Sequence, residues 1–171
     1  MLILGHGASG TAASMRPHVE GLRRRGIEAR AIDLPKGNAE RAMPRFIVAM
    51  EEETSAVALG GHSFGGRVAS MVAAERSDVT ALVLFSYPLH RPGHPESMRV
   101  EHWPSIRCPV LLLSGESDPF ARIDLLRDAV GELADAKLVT YARIGHGLLP
   151  VLDAALDEVA AFLTSVAGTN G

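Results

Sequence analysis

One serine occupies a sequence context that can make its hydroxyl a nucleophile. Ser63 is the centre of residues 61–65, Gly-His-Ser-Phe-Gly, which form a Gly-x-Ser-x-Gly pattern. An apolar run at residues 56–59 precedes the pattern, and a helix-like run at residues 67–76 follows it. A strand, a tight turn and a helix form the context in which this pattern lifts a serine clear of the backbone. The same residues also fit a glycine-rich turn that carries an ordinary surface serine.

A serine nucleophile needs a histidine base and a carboxylate that orients this base. His146 lies between two glycines and Asp118 precedes a proline, each just after a predicted strand. The carboxyl ends of parallel strands are where open α/β sheets place their sites. The sequence therefore predicts Ser63, Asp118 and His146 as a catalytic set. Taken alone, Asp118 also fits a helix cap and His146 a loop histidine, and Glu116 is a competing acid.

Acyl transfer also needs hydrogen-bond donors for the oxyanion that develops on the substrate. The first should be the backbone N–H of Phe64, the residue after the nucleophile. The second should come from the loop after the first predicted strand, residues 5–10, which reads Gly-His-Gly-Ala-Ser-Gly. Its small residues allow a backbone N–H to face the nucleophile, and we expect this donor to be Ala8.

The loop at residues 5–10 also matches the Gly-x-Gly-x-x-Gly fingerprint of dinucleotide-binding proteins. Asp33, at the end of the second predicted strand, lies where an acid that binds the ribose belongs. However, Ser14 and Pro17 indicate a helix that begins several residues after Gly10. The fingerprint needs this glycine in the first helical turn, where it holds pyrophosphate. Dinucleotide binding is therefore the weaker alternative.

Further side chains near the predicted site are candidates for substrate contacts, namely His6, His62, Tyr87 and His90. The last two belong to residues 86–107, a segment with four prolines that joins two predicted strands. It is longer than an ordinary loop, so we expect it to cover the active site. Prolines interrupt the spacing of its three histidines (His90, His94 and His102), so we expect no metal site there.

Short apolar runs alternate with amphipathic runs along the whole chain. The six predicted strands are Leu2–Leu4, Glu28–Ile32, Ala56–Leu59, Val79–Phe85, Val110–Leu113 and Lys137–Tyr141. Several are apolar at consecutive positions, which is typical of parallel strands covered on both faces. Predicted helices fill the gaps, and the second should begin at Pro44. The alternation predicts an α/β fold, with about six parallel strands and helices on both faces.

Length and composition fit one domain, which we place at residues 1–167, followed by a disordered tail at residues 168–171. The chain has 171 residues, 47% of them hydrophobic, and a net charge of −3, which argues against nucleic acid as a partner. No segment approaches the ~20 apolar residues of a membrane span. With one cysteine, Cys108, the chain cannot form an internal disulfide. We expect a cytoplasmic protein that binds no membrane and no cofactor, in an undetermined oligomeric state.

The chain resembles the α/β-hydrolase superfamily over nearly its full length. Within it, the chain is similar to small dienelactone-hydrolase-like serine hydrolases, especially the testis-expressed and chromatin-complex-associated hydrolase-like proteins. The motifs that carry this likeness are residues 5–10, residues 60–67 (Gly-Gly-His-Ser-Phe-Gly-Gly-Arg), residues 86–90 (Ser-Tyr-Pro-Leu-His) and residues 114–119 (Ser-Gly-Glu-Ser-Asp-Pro). The resemblance implies a hydrolase fold with Ser63 as nucleophile, Asp118 as acid and His146 as base. Superfamily members usually begin with an antiparallel hairpin, whereas this sequence opens on the predicted oxyanion strand, so we expect either a minimal version of the fold or a start that lies upstream. We also expect no helical cap domain.

These observations predict a serine hydrolase that cleaves an ester or related acyl bond of a small molecule through an acyl-enzyme. Thioesterase, amidase and acyltransferase activities share the same residues and stay open at this point. One alternative is a binding or scaffold protein that keeps the fold without turnover. The other is the dinucleotide-binding protein.

Overall fold

The computed structural model describes residues 1–169 and contains one sheet of six parallel strands. The strands are β1 (Leu2–Gly5), β2 (Ala29–Ile32), β3 (Val57–His62), β4 (Val79–Phe85), β5 (Val110–Gly115) and β6 (Ala136–Tyr141). Their order in the sheet is β2-β1-β3-β4-β5-β6, and every neighbouring pair is parallel. β1 and β3 are therefore neighbouring interior strands, and the loops that follow them lie side by side at one edge of the sheet.

Consecutive apolar residues in the strands are explained by helices on both faces of the sheet. In β1, Ile3 packs into one hydrophobic cluster, whereas Leu2 and Leu4 pack into the other. Because strand side chains alternate between faces, such a run is apolar throughout only when both faces are buried. The six parallel strands and the two covered faces confirm the predicted fold class.

Within residues 1–169, five α-helices cover the sheet, and each face has its own set. They are α1 (Arg16–Arg23), α2 (Ala39–Glu51), α3 (Phe64–Glu75), α4 (Ile123–Ala129) and α5 (Leu152–Thr169). The buried side chains of α1 and α5 share one cluster, and those of α2, α3 and α4 share the other. Because α5 continues to Thr169, the tail predicted to begin at residue 168 is helical at its first two positions. Residues 170–171 lie outside the described residues.

The predicted start of the second helix at Pro44 is wrong, because α2 begins at Ala39. Asn38 precedes the helix in an extended conformation, and its side-chain oxygen accepts a hydrogen bond from the Arg41 N–H at 3.0 Å. This cap satisfies one of the N–H groups that a helix start leaves unpaired. Pro44 therefore lies inside the helix, and its ring removes one backbone hydrogen bond to the preceding turn.

The length and the prolines of residues 86–107 predict that this segment covers the active site. This prediction is wrong, because the segment packs elsewhere. Three bulky side chains of this segment, Tyr87, Leu89 and Trp103, are almost fully buried in the cluster shared with α3. Tyr87 and Trp103 also contact each other, with ring centroids 5.1 Å apart. The segment is thus part of the core on the α3 face, where buried aromatic area fixes it.

Candidate active site

Ser63 lies on the strained turn that joins β3 to α3. Its backbone has φ 51° and ψ −113°, a conformation that residues with a Cβ rarely adopt. The neighbouring chain holds this turn, because the Ser63 N–H donates to the Phe85 carbonyl at 2.9 Å and its carbonyl accepts from Arg67 N–H at 3.0 Å. The serine therefore stands at the carboxyl end of the sheet, where its side chain faces a cavity.

Glycines on both sides of Ser63 allow β1, β3 and α3 to approach closely. A Cβ on Gly61 would lie 2.5 Å from the Gly5 carbonyl oxygen and 2.6 Å from the carbonyl carbon of Gly65. A Cβ on Gly65 would overlap the Gly5 carbonyl group. Real Cβ atoms do not approach backbone atoms this closely, so the spacing of the motif is a steric requirement of the turn.

Gly65→Ala should lower the free energy of unfolding by about 3 kcal/mol or more, because backbone atoms of Gly5 cannot move aside as a side chain can. Urea denaturation measures this change. Gly131→Ala is the matched control, since its Cβ would meet nothing within 4 Å, and it should not reduce stability. Equal stability of Gly65→Ala and Gly131→Ala would contradict this account of the turn.

His146 lies between Ser63 and Asp118 and is hydrogen-bonded to both. Its Nε2 is 2.8 Å from Ser63 Oγ, and its Nδ1 is 2.8 Å from Asp118 Oδ2. Because a carboxylate only accepts, Nδ1 carries the proton, which leaves Nε2 to accept from the serine hydroxyl. The structure thus brings together the three residues that the sequence predicts as a catalytic set.

The Asp118 carboxylate is buried and is held by a second hydrogen bond. Its Oδ1 accepts from the Phe120 N–H at 2.8 Å, in a turn rather than in a helix cap, because α4 begins only at Ile123. The Phe120 ring lies against His146, with centroids 4.4 Å apart. The competing acid, Glu116, accepts hydrogen bonds from Thr140 and Arg127 instead.

His62 supports the loop that carries His146. Its Nε2–H donates to the His146 backbone carbonyl at 3.2 Å, and the two ring centroids are 5.2 Å apart. Burial lowers the pKa of His62, and the hydrogen bond to the His146 carbonyl, which a charged ring can also donate, opposes this shift only in part. His62 also lines the cavity, so it is the one predicted substrate contact that the structure places there.

The other three predicted substrate contacts, His6, Tyr87 and His90, do not line the cavity. His6 is buried, and it accepts from Leu34 N–H and donates to the Gly7 carbonyl. The Tyr87 hydroxyl donates to the Arg99 carbonyl at 2.5 Å, and burial raises the pKa of Tyr87 to about 12. His90 bonds the backbone of Arg91 and Arg122. Each of these three side chains bonds the protein backbone, and none is placed to contact a substrate in the cavity.

A cavity of about 430 Å³ opens beside the Ser63 hydroxyl. Its walls come from two segments, residues 7–18 after β1 and residues 146–149 after β6, together with His62 and Phe120. Ala8 is among the lining residues, and Phe64 is the first residue of α3, where a helix offers its N–H no internal acceptor. Neither N–H donates to a protein acceptor within the described part of the chain.

The sequence did not reveal His18, Phe120, Leu148 and Leu149 as cavity residues. For His18 a signal was present, because it lies on the apolar face of α1 beside Met15 and Val19. A polar residue on such a face needs a reason to be there. Leu149 also lines the cavity and is 65% exposed, whereas most large apolar side chains of the described residues are buried or half-buried.

The dinucleotide fingerprint does not form a phosphate site. Gly10 precedes a 3₁₀ turn at Ala12–Met15, and α1 begins only at Arg16, so the helix begins late, as predicted. The Asp33 carboxylate accepts from the Ala12 N–H at 2.7 Å. Both the glycine and the acid thus serve the local fold of the loop.

The histidines of residues 86–107 bind separate protein partners. His94 pairs with Glu96, and His102 bonds the buried hydroxyl of Ser70 at 2.7 Å. Within residues 1–169, no group of three or more His, Cys, Asp or Glu side chains has the arrangement of a metal site.

Sequence comparison places the chain in a known family. A family model described as an alpha/beta hydrolase domain matches residues 23–153, about three quarters of the chain. The chain belongs to the alpha/beta hydrolase domain family. The match does not test the closer likeness to the testis-expressed and chromatin-complex-associated proteins, which stays a prediction.

Solved structures similar to this alpha/beta hydrolase share its fold at low sequence identity. A monoacylglycerol lipase from Paleococcus ferrophilus is 17% identical, with a TM-score of 0.83 over 96% of this chain and 94% of that one. Est1E from Butyrivibrio proteoclasticus is 17% identical, with a TM-score of 0.80 over 98% and 88%. A dienelactone hydrolase from Anabaena variabilis is 22% identical, with a TM-score of 0.76 over 96% and 85%.

None of the helices in residues 1–169 combines the length and the apolar character that crossing a bilayer requires.

Proposed function

We propose that the protein is a serine hydrolase that cleaves the ester bond of a small uncharged molecule. The observation that carries this proposal is His146 bridging Ser63 Oγ and Asp118 Oδ2 at 2.8 Å each. A serine on a strained turn, bonded to a histidine whose other nitrogen bonds a buried carboxylate, is the arrangement of an activated nucleophile.

In the proposed reaction, Ser63 Oγ attacks the ester carbonyl carbon while His146 Nε2 accepts the hydroxyl proton. The N–H groups of Phe64 and Ala8 would hold the oxyanion of the tetrahedral intermediate. His146 then donates the proton to the leaving alcohol, which departs and leaves an acyl-enzyme. Water attacks this acyl group by the same route, so one acid and one alcohol are released and the serine is restored. Asp118 stabilises the imidazolium in both halves of the reaction.

The substrate class of the proposal rests on the cavity and on the relatives. No Asp, Glu, Lys or Arg side chain of the described residues lines the cavity, so nothing there attracts a charged substrate. The structural neighbours include proteins described as a monoacylglycerol lipase and a dienelactone hydrolase. An oxygen ester is therefore preferred here to a thioester or an amide.

Labelling with a fluorophosphonate probe tests the nucleophile. The probe should label the folded wild-type protein and should not label Ser63→Ala, because it reacts only with an activated serine. Ser14→Ala is the matched control, since Ser14 also lines the cavity but its hydroxyl donates to the Thr11 carbonyl. This variant should label as the wild type does. Equal labelling of Ser63→Ala and wild type would remove the basis of the proposal.

The alternative of a scaffold without turnover is decided by a panel of p-nitrophenyl esters. Hydrolysis that disappears in Ser63→Ala supports the enzyme, whereas a background that is the same in both proteins supports the scaffold. No feature of the cavity favours the scaffold, because the site has an acid, a base and a nucleophile within hydrogen-bond reach.

A further inference from the structure

His18 is the buried polar group of the active-site cavity that the proposed reaction does not use. It belongs to α1, is only 7% exposed, and lines the same cavity as Ser63. Its Nδ1 is buried and has no hydrogen-bond partner in the described part of the chain. Leaving such a group unpaired costs free energy, because its hydration is lost and nothing replaces it.

The second ring nitrogen, Nε2, is the atom of His18 that can meet a ligand. It makes no hydrogen bond to any described residue, but unlike Nδ1 it is not excluded from solvent-accessible space. The His18 ring also contacts Phe85 edge to face, with centroids 5.0 Å apart. Because His18 lines the cavity and its Nδ1 is buried, Nε2 is the ring nitrogen that a ligand in the cavity could reach.

The His18 ring is neutral under ordinary assay conditions. Burial, and secondarily the nearby His62, lower the pKa of His18 to about 4. Its Nε2 is then a donor in one tautomer and an acceptor in the other. A ligand hydroxyl can pair with either tautomer, because it both donates and accepts. A carboxylate would gain no ionic attraction from it.

We propose that His18 is a specificity residue that selects esters carrying an uncharged hydroxyl group. The proposal rests on the proposed function and adds to it the substrate class. The apolar wall formed by Met15, Leu148 and Leu149 would hold the hydrocarbon part of the ester, while His18 Nε2 pairs with its hydroxyl. A site with a buried polar group discriminates against a substrate that leaves this group unpaired.

Two matched pairs of esters test the proposal. In the first pair the hydroxyl is on the acyl part, in p-nitrophenyl 3-hydroxybutyrate against p-nitrophenyl butyrate. In the second it is on the alcohol part, in 2-hydroxyethyl butyrate against ethyl butyrate. The wild type should favour the hydroxylated ester in at least one pair by about tenfold or more in kcat/KM. The pair that shows the preference identifies which part of the substrate meets His18.

His18→Phe is the decisive variant, because it keeps an aromatic ring against Phe85 and removes both nitrogens. The hydroxyl preference should fall about tenfold or more, whereas a general loss of activity would change both esters of a pair equally. His18→Gln, which restores a donor and an acceptor, should recover part of the preference. The melting temperature of His18→Phe should be at least that of the wild type, because an unpaired buried polar atom is removed. An unchanged preference in His18→Phe, or none in the wild type, overturns the proposal.

A binding measurement separates failure of this inference from failure of the proposed function. In Ser63→Ala, the imidazole ¹⁵N shifts of His18 should change on adding the hydroxylated ester of the preferred pair and not its unsubstituted partner. If no ester shows Ser63-dependent hydrolysis, the esters of both pairs are added to Ser63→Ala. The ¹⁵N shifts of His18 then decide alone whether the hydroxyl site exists. Shifts without hydrolysis would retain the hydroxyl site and reject the hydrolase. Hydrolysis without shifts would reject the role of His18 alone.

Discussion

Replacing Ser63 with alanine should lower kcat for p-nitrophenyl butyrate by about 10⁶-fold, to the level set by binding and the oxyanion donors alone. The change removes the hydroxyl oxygen that bonds His146 Nε2 and leaves the cavity otherwise intact. The strained turn should remain, because alanine and serine both carry a Cβ and bear the same backbone strain at φ 51°. Far-ultraviolet circular dichroism should therefore show a folded protein.

The pair Ser63→Ala and His146→Ala distinguishes a coupled set from independent contributions. Each variant alone should lose about the same factor, and the double variant should lose hardly more, because neither residue catalyses without the other. Independent residues would instead multiply their losses. A single variant that keeps more than about 1% of wild-type kcat would contradict the proposed mechanism, since acylation through Ser63 would then be unnecessary.

Much of the fold, and the set of Ser63, Asp118 and His146, could be predicted because local sequence patterns determine both. The glycines at positions 61 and 65 indicate that backbone segments approach each other closely. The alternating strand and helix patterns indicate a parallel sheet covered on both faces. In a parallel sheet, loops after neighbouring strands meet at one edge. Asp118 after β5 and His146 after β6 therefore come together without any knowledge of long-range contacts.

The cavity could not be predicted in the same way, because loop length does not say on which face a loop packs. Residues 86–107 lie against α3 because Tyr87, Leu89 and Trp103 find room in that core. The cavity wall instead comes from the shorter segments after β1 and β6. Similarly, the cap at Asn38 and not the proline determined the start of α2. In both cases a specific contact outweighed a general tendency of the sequence.

Asp118→Asn should lower kcat by about 10⁴-fold while leaving the fold intact. The reason lies in the two oxygens of Asp118, which have different partners. Oδ1 accepts from the Phe120 N–H, so the carbonyl oxygen of an asparagine would take this position. Its NH₂ group would then face His146 Nδ1, which must become an acceptor. The ring proton would move to Nε2, the atom that has to accept the proton of Ser63.

The loss would therefore come from a wrong tautomer, and not from a displaced side chain. KM should change much less than kcat, since Asp118 does not line the cavity. The ¹⁵N spectrum of His146 should show the proton on Nδ1 in the wild type and on Nε2 in Asp118→Asn. Glu116→Gln is the matched control, because this acid bonds Thr140 and Arg127, and its kcat should stay within about twofold of the wild type. A larger loss in Glu116→Gln than in Asp118→Asn would transfer the role of the acid to Glu116.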